Sequence, residues 1–158
     1  MNEKRDLERQ AALRERRLNM RLMAFWWDRR GDRRFPSLED FDPEALADIW
    51  PHCFSLVAHD PPQKSVFRFI GDAVAETLSG VEGKITIDGL TKDSLLDHAT
   101  RNIDEVLEQR VPAVTSGEYF DPAGNAIVYR SILLPFSSDQ ETIDSVVGGA
   151  RCKVKRAV

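Results

Sequence analysis

The stretch "SVFRFIGDAVAETLSGVEGK", residues 65–84, decides the fold. It reads as a short strand that stops at Gly71, where the chain changes direction. Ala73, Val74 and Leu78 then give a short helix one buried side, and Gly80 and Gly83 end it. The bend "FRFIGDAV" carries no Ser or Cys nucleophile, which excludes a hydrolase elbow. The spacing of Gly71, Gly80 and Gly83 matches neither a dinucleotide fingerprint nor the phosphate loop GxxxxGK[ST]. The stretch is therefore a wall of the domain and not a reactive turn.

Upstream, "CFSLVAH" alternates Phe54, Leu56 and Ala58 on one face with Cys53, Ser55, Val57 and His59 on the other. "PPQK" supplies a turn, so this strand and "SVFRFIG" form a hairpin. Downstream, "ITIDGLTKD" is less defined and leads to "DSLLDHATRNIDEVLEQR", which reads as one long helix. Asp93 or Ser94 caps it, and Leu95, Leu96, Ala99, Ile103, Val106 and Leu107 share its buried face. "VPAVTSGEYF", "AIVYRSILLPFS" and "SVVGGARCKV" then read as three antiparallel strands joined by "DPAGN" and "SDQETID". Gly148 and Gly149 mark a bulge or a close backbone contact within the last strand.

Before the hairpin, Asn2 to Arg30 lacks Pro and Gly and reads as one long helix. Leu7, Ala11, Leu18, Leu22 and Phe25 form a stripe broken by Arg14, too weak for an autonomous coiled coil. Its end, rich in Met23, Trp26 and Trp27, must bury itself either on the chain's own domain or on a partner subunit. Gly31 stops this helix, and Asp42 with Pro43 opens another of about two turns that ends before Pro51. Strands clustered at two places with helices between them predict an α+β fold: a five-stranded antiparallel sheet with helices on one face, preceded by the long N-terminal helix. The expected division is a basic helical extension over 1–34, a domain over 35–152 and a tail over 153–158.

The chain has 158 residues, 42% apolar and 30% charged, the composition of one globular domain with an appendage. No run approaches the ~20 apolar residues of a membrane span, and "MNEKRDLERQ" lacks the apolar stretch of a secretory signal. Cys53 and Cys152 are too few for a disulfide framework, so a cytoplasmic location is expected. Of the net charge of −4, residues 1–34 hold 11 Lys/Arg against 6 Asp/Glu, leaving the remainder strongly acidic. Arg5, Arg9, Arg16, Arg17 and Arg21 admit nucleic-acid binding, although acids interleaved at helical spacing favour a solvated, salt-bridged helix.

The order of elements resembles that of a PAS domain, and more narrowly a family of small stand-alone bacterial PAS-like proteins common in alphaproteobacteria. The residues that carry the resemblance are Trp27, Arg30-Gly31 and Pro36, then Asp42-Pro43 opening the short helix. Phe67-Arg68-Phe69-Ile70-Gly71 ends the second strand, and Leu134-Pro135-Phe136-Ser137 ends a later one. Phe67 stands where tyrosine is more usual, and Asp72 where a small polar residue is expected. The match spans roughly residues 26–150.

This resemblance implies a non-catalytic sensory or regulatory role through protein contacts, with a small molecule able to sit between sheet and long helix. It also implies a homodimer formed through the helix before the first strand, here Leu18, Leu22, Phe25 and Trp26, and a protein partner in signalling. No kinase, cyclase or DNA-binding helix-turn-helix pattern follows before Val158, so the expected output is a contact made by the domain or its N-terminal helix. The expected pocket wall comprises Arg68, His98, Asn102 and Tyr129. An inward Arg68 would favour a carboxylate or phosphate ligand, whereas strand alternation can also turn it to solvent.

Metal ligands are scarce. Cys53 and His59 share a strand face but lie roughly 20 Å apart, and His52 faces the other way. The cofactor is undefined by the sequence, with haem the one specific option, because some PAS proteins ligate haem from the position His98 occupies. A flavin-binding cysteine is not expected, since both cysteines fall on strands. An enzymatic site could draw only on Asp97 and His98, neighbours that do not face each other on a helix.

Overall fold

In the computed structural model, residues 2–78 and 83–155 are described, and within these the side chains of residue 3 and of residues 17 onward. Gly80 and the side chains of Arg5, Leu7, Arg9, Ala11, Arg14 and Arg16 lie outside the described set. Helix α1 spans Asn2–Arg30. Strands β1 (Cys53–Val57) and β2 (Val66–Ile70) follow, then the one-turn helix α2 (Asp72–Ala75). Helices α3 (Leu95–Ala99) and α4 (Ile103–Gln109) precede β3 (Ala113–Phe120), β4 (Ala126–Phe136) and β5 (Ser145–Val154). The five strands form one sheet in the order β2-β1-β5-β4-β3, with every neighbouring pair antiparallel.

Gly71 answers the question its position raises. A Cβ there would stand 2.4 Å from the carbonyl oxygen of Pro51, so only glycine lets β2 end against the Trp50–Pro51 turn. Its own N–H donates to Cys53 at 2.8 Å, tying the bend to the start of β1. The chain then turns directly into α2.

Two expected helices are shorter than the sequence pattern predicts. The helix expected over 93–110 is broken into α3 and α4 at Thr100–Asn102, where the Thr100 hydroxyl donates to the Leu96 carbonyl at 2.7 Å. Thr and Asn offer the backbone such side-chain alternatives, and the apolar periodicity continues across the break unaltered. Beyond Pro43 the chain forms successive turns instead of a two-turn helix. Asp42 still caps that segment, accepting from Glu44 N–H at 3.0 Å and Ala45 N–H at 3.4 Å.

The sheet is covered on both sides. Helices α3 and α4 lie over one face, while α1 packs across β4 and β5 on the other. Gly148 and Gly149, adjacent and therefore facing opposite ways, make room for both layers. A Cβ on Gly148 would meet the Phe54 ring at 2.4 Å, and one on Gly149 would meet Leu22 Cδ1 at 2.5 Å. The β5 register is continuous here, so the glycines serve close approach and no bulge.

Leu18, Leu22 and Trp26 are 1%, 0% and 2% exposed, and the Trp26 indole N–H donates to the Pro135 carbonyl at 2.7 Å. The stripe expected to meet a partner is therefore consumed by the chain's own sheet. Phe25 extends it through an edge-on contact with Phe41 at 5.7 Å, and Phe41 in turn meets Phe136 and Trp50. An amphipathic helix buries its apolar face on the nearest apolar layer, here the bare outer side of β4 and β5.

Candidate functional site

On the other face, Phe54 and Leu133 are fully buried, so the centre of the sheet is packed solid. A cavity of about 370 Å³ lies off-centre, between the 91–95 segment and the strands. Leu78, Leu95 and Ile127 supply its apolar lining, and Asp93, Tyr119 and Cys152 its chemistry. Tyr119 comes from β3, Ile127 from β4 and Cys152 from β5, so neighbouring strands bring them together.

Tyr119 governs this wall. Burial first, then the nearby Cys152 and Asp121, raise its phenol above the ordinary value, so the hydroxyl stays a neutral donor. Tyr119 borders the cavity beside Cys152. Behind it, the His98 ring stacks on Tyr119 with centroids 4.0 Å apart, and Tyr129 lies 5.6 Å from both rings. Tyr129 is likewise raised by burial.

His98 is 6% exposed and its Nε2–H donates to Asp93 at 3.0 Å. Asp93 adopts a left-handed backbone with φ 62°. Its N–H donates to Asp97 at 2.8 Å, and Ser94 caps the following helix by accepting from Asp97 N–H at 3.2 Å. Arg101 lies 3.2 Å from Asp97 and 3.6 Å from Asp93. Asp93, Asp97 and His98 could converge on a cation, but Arg101 already supplies positive charge there.

The expected pocket wall is corrected by this geometry. Arg68 is exposed on edge strand β2, at an irregularity where Ser55 pairs Phe69 and Leu56 pairs Phe67. Asn102 turns to β3, donating to the Thr115 hydroxyl at 2.8 Å. His98 and Tyr129 stand behind Tyr119 and do not line the cavity. His98 does not fit haem iron through Nε2, which Asp93 holds, with Tyr119 stacked on the ring. Asp97 and His98 each have separate partners and make no acid–base pair.

Tyr119 was not singled out from the sequence. The available signal was the alternation in "AVTSGEYF", which puts it on the same face as Ala113 and Thr115. Of the cysteines, Cys53 is sealed in the core, where burial pushes its thiol up to about 12. Among the arginines proposed for nucleic acid, Arg17 is exposed and Arg21 is paired with Asp48.

An antiparallel sheet in the order 2-1-5-4-3, with short helices bordering a partly open cavity on one side, defines a sensory-type α+β module. The chain belongs to the PAS domain family, whose pattern matches residues 14–150. Among solved structures it is similar to the PAS domain of Bordetella pertussis BvgS, at 15% identity and a TM-score of 0.40, covering 73% of this chain and 89% of that one. No curated protein matches the chain. Among the described residues, no helix is long and apolar enough to cross a membrane.

Proposed function

We propose that the chain is a non-catalytic regulatory module, like the small bacterial PAS proteins it resembles, that works through protein contacts made by the outer face of α1. The observation that carries this reading is the second apolar stripe of that helix. Met20 is 68% and Trp27 51% exposed, with Ala24 between them, on the side turned away from the docked Leu18, Leu22 and Trp26. The occupant is a second copy of this chain. A two-fold antiparallel pairing centred between Met23 and Ala24 sets Met20 opposite the other copy's Trp27, a self-complementary apolar match.

The cavity beside Tyr119 is the place for a small molecule that would bias this contact. Strand β5 touches both sites, presenting Gly149 to α1 on one face and Cys152 to the cavity on the other. Leu78, Leu95 and Ile127, beside the Tyr119 phenol, the Thr77, Thr91 and Ser94 hydroxyls and the Asp93 and Asp121 carboxylates, suit a small ligand with an apolar body and a polar edge that carries donors as well as an acceptor. Native mass spectrometry of full-length protein freshly purified from cells tests the reading. A dimer carrying a constant extra mass supports it, and a bare monomer at all concentrations removes it.

A further inference from the structure

Arg30, Arg34 and Arg110, with Phe35 beneath them, line an open pocket of about 300 Å³ that shares no residue with the cavity beside Tyr119. Three separate elements deliver these guanidinium groups. Arg30 ends α1, with its charge over the Trp27 ring at 4.1 Å and its Nε buried without a hydrogen-bond partner. Arg34 follows on the link, where Gln140 accepts from the N–H groups of Arg34 and Phe35 at 2.9 and 3.1 Å and donates to the Phe35 carbonyl at 2.9 Å. Arg110 caps α4 in a left-handed conformation, φ 63°, with its guanidinium 5.3 Å from the Phe35 ring and a hydrogen bond to the Glu141 carbonyl.

Charge balance sets this pocket apart. Arg21, Arg29 and Arg33 each have an aspartate partner. Among the described residues no carboxylate lies within ion-pair distance of Arg30, Arg34 or Arg110, and none lines the pocket. Gathering like charges around a concavity is unfavourable unless an anion completes it. Guanidinium edges match the oxygens of phosphate in paired hydrogen bonds. The chain's net charge of −4 disfavours long polyanions and leaves a small anion as the fitting guest.

We propose that Arg30, Arg34 and Arg110 form a binding site for a small soluble phosphate-bearing anion at the junction of α1 with α4. An occupant bridges the ends of two helices that pack on opposite faces of the sheet, and so stabilises the folded chain by mass action.

Pyrophosphate titrated into the full-length chain, by calorimetry and by thermal melting at matched ionic strength, tests the proposal. Saturable one-site binding with a raised Tm is expected. Arg34→Gln should weaken it about tenfold without lowering the Tm of the free protein, because that side chain makes no described contact. Arg34→Lys should fall between the two, and Arg17→Gln should bind like the wild type. Arg110→Gln provides an independent second loss. Absence of binding, a Tm rise equalled by sodium chloride, or unchanged affinity in both glutamine variants would overturn the site. Tighter binding of a DNA duplex or of anionic vesicles than of pyrophosphate would overturn its assignment to a small anion.

Discussion

Gly149 of β5 lies directly beneath Leu22 of α1, so close that a methyl group on the glycine would stand 2.5 Å from Leu22 Cδ1. The missing side chain is what lets α1 sit flat on the sheet. Gly149→Val should lift the helix and destabilise the chain by about 1–3 kcal/mol. Urea unfolding measures this, and Leu22→Ala in the same background should recover part of the loss, since the two residues contend for one space.

Trp26 and Trp27 are neighbours with opposite roles. Trp26→Phe removes the indole donor and leaves the Pro135 carbonyl unpaired in the core, a loss of about 1–3 kcal/mol. Trp27→Phe changes an exposed ring and should alter monomer stability by no more than about 0.5 kcal/mol. Equal effects of the two substitutions in chemical denaturation would contradict the inward and outward division of α1.

Asp93 holds its left-handed turn because its carboxylate receives the buried Nε2–H of His98. Asp93→Gly relieves the backbone but strands that donor, so the exchange should still destabilise, by roughly 1 kcal/mol after the two effects offset. Asp93→Asn keeps both an acceptor and a residue tolerant of the conformation, and should cost less. Thermal melts of the two variants give the order.

His52 predicts a pH dependence. Burial, with the Arg151 guanidinium adding to it, holds this imidazole below its ordinary value of 6.5 in the folded chain. Above that pH the ring is neutral whether the chain is folded or unfolded, and it contributes nothing. Below it the unfolded chain takes up a proton that the folded chain refuses, so stability falls as the pH drops from 6.5 toward the depressed folded value. His52→Gln should flatten that decline in denaturation curves collected between pH 7 and 5.

The five strands, the β1–β2 hairpin and the antiparallel run of the last three were legible because alternation such as Phe54, Leu56 against Cys53, Ser55 has a period of two that few other structures share, whereas the pairing of β1 with β5 joins distant segments that no local pattern marks. The break between α3 and α4 was hidden, since Leu95, Leu96, Ala99, Ile103 and Val106 keep helical spacing straight across Thr100–Asn102. Partner and self-docking read alike in sequence. The Leu18, Leu22 and Trp26 stripe is apolar in either case, and only the bare face of β4 and β5 decides that it stays within the chain. Deleting residues 1–30 would strip cover from Leu134 and Phe136. The cavity wall was missed for a related reason: distance along the chain conceals that Tyr119 comes to stack on His98.

Sedimentation equilibrium of the full-length chain and of the Met20→Glu, Trp27→Glu double variant tests the central claim, that α1 keeps one face for its own sheet and offers the other to a second copy. The wild type should be a concentration-dependent dimer, and the variant a monomer with the same melting temperature in dilute solution. An identical mass for the two proteins, dimer or monomer, would contradict it.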